Sequence, residues 1–523
     1  MNVVTENFEH SDFANQLESA AAENSTGFAL KLFAALCICV INMLLARFLG
    51  TERYGVFVLG LTLVQFLVLL TTFGFKGSIH KYLPLFIAEK NPLHIKKLVF
   101  LGTIIVLSSS FFIMLVLNIF SGSIGDLFGS TDLASLMLFF SVLVVLISFT
   151  TLVGSMLNGF QKGWHNAVLT NGVNKILILM IFLLYLGCFG FRIRGILYAY
   201  MLSYLITLML MGALVYEEYK RNTRGADQGE DTSFNTKGII HLSLTLVMTG
   251  IVSRCILQGD RIIIGLFRHK GELGIYNIAA QISFLSICVL QFFSFIFLPI
   301  ASGMFSTDDW RQINSFFSSI TRWCILFSVP LVAGTVIYGM TILSIFGPEY
   351  TNAYVSLVIL SLCWYIYITI GPVGPLLVLT ESHKYHMYNN ILVASGNIAL
   401  NIILIPLIGI AGAACATLIS IGLGHVLKFL RVRKELSIEV NKNNIVCSLV
   451  CLTGCMILCF TVKTIIRHVA EVTIWWVILN IGLLYAAVLI LFIRSGRQED
   501  KTIKDFIKKT IQILAQTWKR RLS

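Results

Sequence analysis

The chain has 523 residues, 57% of them apolar and only 12% charged, with a mean hydropathy of +0.84. A water-soluble protein of this length covers its surface with many more charged residues, so the composition excludes a soluble enzyme and implies repeated membrane crossings. The net charge of +13 calls for no nucleic acid, because most of the 39 Lys and Arg flank the apolar runs, where they meet anionic lipid.

In chain order, residues 1–24 carry Glu6, Glu9, Asp12, Glu18 and Glu23 but no Lys or Arg. That is the reverse of a signal peptide's basic start, and it predicts a polar N-terminal tail that stays with the protein. Apolar runs of about 20 residues, the length that spans a bilayer core as a helix, then recur as far as Ile493. Their number is fourteen, which predicts an all-α polytopic membrane protein. Residues 25–216 hold six spans, and the mixed-charge stretch 217–237 reads as a linker. Residues 238–431 hold six more, 432–493 an additional pair outside either half, and 494–523 a basic amphipathic tail that suits a membrane surface. The basic residues concentrate in 76–97, 220–237, 431–442 and 494–521. The positive-inside rule therefore predicts a multi-pass protein of the inner (plasma) membrane with both termini in the cytoplasm.

The two six-span halves share a pattern. ARFLGTERYGVFVLG at 46–60 returns in coarse form as DRIIIGLFRHKGELGIYNIAA at 260–280, placing Tyr54 and Tyr276 in comparable positions. Internal duplication of this kind builds many transporters, with the substrate path between the halves. Pro299, Pro330, Pro372, Pro375 and Pro406 all fall in or at the ends of second-half spans, where each frees a carbonyl and bends its helix. Pro372 and Pro375 are the leading hinge candidates.

The twelve cysteines lie in or beside apolar runs. Cys447, Cys451, Cys455 and Cys459 repeat every four residues, but one helix face spreads them too widely to share a metal ion, so they read as packing residues. No metal site and no cofactor is expected. There is no GxxxxGK[ST], HExxH or GxSxG motif, and no extramembrane segment large enough for a catalytic domain, so the chain does not read as an enzyme.

Ionisable groups inside spans are costly and therefore informative. Lys31, Lys175, Arg254 and Arg261 are the candidate cavity cations, suited to neutralising a phosphate or diphosphate. Asp260 is expected to pair with a neighbouring arginine. Arg47 joins Arg53, Arg192, Arg194, Arg268 and Lys270 as outer basic points, which line an exit or contact lipid phosphates.

These features carry a family resemblance. ARFLGTERYGVFVLG at 46–60, LNGFQKGWHNA at 157–167, SRCILQGDRIIIGLF at 253–267, ELGIYNIAAQI at 272–282 and NILVASGNIALNIILIPLIGIAGAACATLIS at 390–420 resemble the oligosaccharide-lipid flippases. These belong to the superfamily that also holds multidrug exporters and the lipid II flippase. In the last stretch Asn397, Asn401, Pro406, Gly409, Gly412, Ala413, Ala414 and Thr417 follow the family's run. The resemblance implies two six-helix lobes around a polar cavity, alternating access, and transport of a polyprenyl-diphosphate-linked oligosaccharide to the outer leaflet. It further implies membrane lipids, a glycan polymerase or glycosyltransferases as partners, and a monomeric transport unit. An ion-coupled small-molecule or drug exporter of the same fold is the alternative, and a non-transporting membrane anchor a third.

Overall fold

The computed structural model describes the backbone of residues 2–190, 192–223, 234–305, 310–379, 383–436, 442–469 and 474–494, with most side chains from Leu30 onward. All regular structure among these residues is helical. The order is α1 (Asn2–Thr71), α2 (Phe75–Ala88), α3 (Pro92–Ile119), α4 (Ser121–Leu127), α5 (Thr131–Ser135), α6 (Met137–Gly159), α7 (Gly163–Ala167), α8 (Asn174–Phe189), α9 (Ile193–Thr223) and α10 (Thr236–Phe267). It continues with α11 (Lys270–Phe305), α12 (Trp310–Ser344), α13 (Tyr354–Ile370), α14 (Val373–Leu379), α15 (His383–Ile408), α16 (Ile410–Leu436), α17 (Lys442–Val469) and α18 (Ile474–Arg494). The amphipathic tail expected at 494–523 lies outside the described residues beyond Arg494, as do residues 224–233 of the 217–237 linker.

Thirteen helices among the described residues are long and apolar enough to cross a membrane. The first, Phe33–Thr71, has 39 residues, nearly twice what one crossing needs, and it leaves the helical path at Gly50 with φ 73°. The Tyr54 hydroxyl donates back to Asn42 Oδ1 at 3.2 Å, so the limbs on either side of Gly50 lie against each other. Counting them separately restores the fourteen spans of the sequence reading. The turn between the limbs is a single glycine, because Thr51 to Tyr54 already follow the second limb.

By internal contacts the chain divides into two compact units, Leu30–Asn277 and the remainder, and the division falls inside α11. α10 is thereby grouped with the first six spans. Ser78 and Ser243 share a 2.7 Å hydrogen bond, and a Cβ on Gly74 would fall 2.1 Å from the Ser243 carbonyl oxygen. Beneath this seam Phe75, Ile79, Leu83, Ile95, Leu98, Leu152 and Leu157 form an apolar core from α2, α3 and α6. Thr71 and Ser148 add a 2.5 Å hydroxyl pair across buried helix faces. In hydrocarbon no hydrophobic effect drives helices together, so such small and hydroxylated contacts hold the packing.

The second unit is built on α12 and α13. The Tyr338 hydroxyl donates to the Cys459 carbonyl at 3.0 Å, Lys463 Nζ to the Ile337 carbonyl at 2.7 Å, and the Tyr485 hydroxyl to the Phe327 carbonyl at 3.0 Å. These bonds fasten the extra pair, α17 and α18, to one face of α12. Cys459 of the cysteine stripe is buried there with its thiol on Asn480 Oδ1 at 3.3 Å. Between α13 and α14 the chain breaks at Gly371, φ 89°, followed by buried Pro372, which has no N–H to continue the ladder. Pro375 falls within α14, while Pro330 and Pro406 sit inside unbroken helices. Large apolar side chains such as Phe112 (67%) and Trp475 (75%) remain exposed, a pattern that fits lipid rather than water.

Candidate functional site

Within Leu30–Asn277 the candidate cations are held by neutral partners. Arg254 Nη1, partly buried on α10, donates to Gln65 Oε1 of α1 at 2.8 Å and to Gln258 Oε1 at 3.4 Å. The spacing 254, 258, 261 keeps Arg254, Gln258 and Arg261 on one helix face, and Arg254 and Arg261 interact electrostatically. The Arg261 Nε is buried without a hydrogen-bond partner among the described residues. Like charges two turns apart on a membrane helix repel each other and favour an anion between them.

Lys175 starts α8 just after a π-helical stretch, Val168–Val173. Its Nζ donates to Asn174 Oδ1 at 3.3 Å and lies 5.6 Å from the Tyr204 ring centre, a cation–π placement. Buried Asn174 in turn donates to Ser203 at 2.9 Å and Thr207 at 3.2 Å, fixing α8 to α9. Tyr204 packs on Tyr200, and Tyr200 on Phe57 of α1, so an aromatic chain runs from Lys175 toward the Gly50 bend. Neither Lys175 nor Arg254 forms an ion pair among the described residues. Lys31 and Arg47 are exposed on α1. Lys175 and Arg254 thus each have an amide partner of their own.

Asp260 Oδ2 accepts the Tyr276 hydroxyl at 2.5 Å and its Oδ1 the Arg261 backbone N–H at 2.8 Å. The carboxylate also interacts electrostatically with neighbouring Arg261, so a phenol and an amide join the arginine as its partners. Next to it Asn277 Nδ2 donates to the Tyr54 hydroxyl at 2.8 Å.

Asn397 and Asn401 are fully buried in the other unit, on α15, with Asn401 Nδ2 donating to the Asn397 carbonyl at 2.8 Å and to its side-chain oxygen at 3.0 Å. Residue types alone pointed to the cations and tyrosines. Gln65, Gln258, Asn42, Asn174 and Asn277 escaped notice because an amide in an apolar run carries no charge signal, although Gln258 stands one helical turn from Arg254. Among the described residues no group of three or more His, Cys, Asp or Glu could hold a metal.

Many apolar helices, intramembrane cations and hydroxyl-rich helix contacts define a polytopic membrane protein. The fold is that of lipid flippases and multidrug exporters. A structure of the lipid II flippase MurJ in an inward closed conformation superposes with a TM-score of 0.67 at 16% identity, covering 89% of this chain and 98% of that one. An inward-facing multidrug resistance MATE family transporter gives 0.64 at 14% identity, covering 80% and 98%. The polysaccharide biosynthesis protein family model matches residues 27–305, and the chain belongs to that family. Two relatives come from Haloferax volcanii. "Probable flippase AglR" is 29% identical over 171 residues, 32% of this chain and 36% of that protein. "Probable low-salt glycan biosynthesis flippase Agl15" is 28% identical over 197 residues, 37% and 41%. The chain thus matches less than half the length of either curated relative.

Proposed function

We propose that the protein is a flippase moving a polyprenyl-diphosphate-linked oligosaccharide from the inner to the outer leaflet by alternating access, for cell-surface polysaccharide or glycan assembly. One observation carries the reading: Arg254 and Lys175 sit inside spans with amide partners and, among the described residues, no carboxylate, leaving their positive charge uncompensated. An unpaired intramembrane cation is costly, and a diphosphate entering between the helices relieves that cost through charge-assisted hydrogen bonds. Amide and hydroxyl groups around them suit sugar hydroxyls. Glycan-assembly enzymes and membrane lipids are the partners this cargo needs. The chain performs no covalent step; its work is moving a charged, hydrated head group through hydrocarbon.

A cation or drug exporter would need an available buried carboxylate. Asp260 is already occupied by the Tyr276 hydroxyl and a backbone amide, which disfavours that alternative. The test is leaflet accessibility of a lipid-linked oligosaccharide in vesicles holding the purified protein. Time-dependent transfer is expected with the wild type. No transfer of any polyprenyl-diphosphate glycan, together with export of organic cations, would overturn the reading.

A further inference from the structure

The break between α13 and α14 is held by a histidine from a third helix. His425 of α16, only 2% exposed, sets Nε2 3.2 Å from the Gly371 carbonyl oxygen. Its ring stacks on Tyr367 of α13 with centres 3.8 Å apart. The same carbonyl accepts the Val373 N–H at 2.9 Å. A carbonyl can only accept, so Nε2 carries a hydrogen and Nδ1 of the neutral ring is a bare lone pair. That Nδ1 is buried and has no hydrogen-bond partner among the described residues.

A second histidine repeats the pattern. Nδ1 of His386 on α15 is also buried and partnerless, and its ring lies against α14, where a Cβ on Gly374 would meet Cε1 at 3.8 Å. Lys428 of α16 donates from Nζ to Asn390 Oδ1 at 2.7 Å and interacts electrostatically with both histidines. Tyr367 is the ionisable group that α13 sets against His425, and α14 carries none. On the α12 side Gly371 faces the Thr321 hydroxyl. The acid of α16, Glu435, pairs with Arg431 at 2.6 Å. Among the described residues, then, no carboxylate balances this basic cluster.

The ligand that suits it is a proton. A metal cation would meet Lys428 and, among the described residues, no carboxylate. A proton needs no cavity, comes from water, and adds to a lone pair that nothing else uses. Once added, it turns Nδ1 into a donor that faces no acceptor and sets a second charge near Lys428. Stacking on Tyr367 returns less than the burial of an unpaired charge costs. The charged ring is satisfied when the packing around α14 admits water.

We propose that His425 and His386 form a proton-binding site, at the end of this unit that the basic-residue distribution assigns to the cytoplasm, and that proton uptake there releases the Gly371 break. The neutral pair keeps α14 clasped to α16; the protonated pair lets it swing. The proposal gives the transport reading above a proton-controlled moving part, and rests on that reading for its place in a cycle.

The test is amide hydrogen exchange of residues 371–379 in the purified protein, read by mass spectrometry. It is run at about pH 7.5 and about pH 5.5, across the histidine range, and corrected for intrinsic exchange. One-proton linkage changes an equilibrium up to about tenfold per pH unit, so wild type is expected to lose at least about tenfold protection at the lower pH. His425→Gln keeps an N–H for Gly371 but takes up no proton, and is expected to stay protected at both. Lys428→Gln leaves both histidines and removes the neighbouring charge, and is expected to shrink the acid response. Wild-type protection that ignores pH overturns the proposal, and so does a His425→Gln protein that loses protection as wild type does. Where His425→Gln does not fold, Lys428→Gln decides, a response equal to wild type being the adverse result. Vesicle assays separate the two readings. If exchange responds as stated while no lipid-linked glycan moves, the cargo assignment fails and the proton site stands. Glycan transfer by a protein whose break ignores pH leaves transport standing and refutes the site.

Discussion

At Arg254 a guanidinium sits inside a membrane span with Gln65 and Gln258 as partners. Neutral amides orient the group without cancelling its charge, as the proposed contact with a diphosphate requires. Arg254→Gln is expected to lower the initial rate of lipid-linked glycan transfer at least tenfold while the protein still purifies as a monodisperse species. Arg254→Lys should recover only part of it, because an ammonium cannot bind a diphosphate in the bidentate way a guanidinium does. Lys31→Gln is expected to have the smaller effect, since Lys31 is exposed. Asp260 gives a second contrast. Asp260→Asn keeps an oxygen for the Tyr276 hydroxyl, whereas Asp260→Ala removes the acceptor of that buried phenol's hydrogen bond, a loss of about 1–3 kcal/mol. Thermal unfolding in detergent should place Asn near wild type and Ala clearly below it. These side chains were largely legible in the sequence, because a charge within an apolar run announces itself. Their partners were not, because an amide's role depends on which helix it faces.

Elements in this chain are shaped by where glycine permits what other residues cannot. Gly50 and Gly55 lie five residues apart but carry different constraints. Gly50 has φ 73° and ψ 173° with open space around its Cβ position, so Gly50→Ala meets only backbone strain of about 1–3 kcal/mol. Gly55 is helical, yet its Cβ would strike a carbonyl oxygen at 1.7 Å, so Gly55→Ala must push two helices apart. The expectation is a modest fall in melting temperature for Gly50→Ala and a larger one for Gly55→Ala, read by fluorescence-detected size-exclusion chromatography after heating. Gly371 combines both problems, with φ 89° and a Cβ that would lie 2.3 Å from Thr321 Oγ1. The sequence marked this break through Pro372 and Pro375. The glycine before them, rather than either proline, adopts the left-handed conformation.

For the whole molecule, the number of crossings and the position of α17 and α18 have separate consequences. An even count places both ends of the chain on one side. Epitope tags at the N- and C-termini should both stay hidden from antibody in intact cells and become accessible together on permeabilisation. The final pair is hydrogen-bonded to α12 through Tyr338, Lys463 and Tyr485. Ending the chain after Leu436 would bare buried Val329, Ala333 and Tyr338. The shortened protein is therefore expected to aggregate on extraction into detergent, whether or not its remaining twelve spans insert.

The sequence by itself determined that this is a helical membrane protein with about fourteen spans, where those spans lie, and which charges they contain. Hydropathy and charge are local properties, and burial in hydrocarbon enforces them span by span. Tertiary structure alone decided that α10 packs with the first six spans, that Asp260 answers to a tyrosine, and that Gly55 meets Gly274. Each of these depends on two segments far apart in the chain arriving within a few ångströms, and no local pattern of polarity records that meeting.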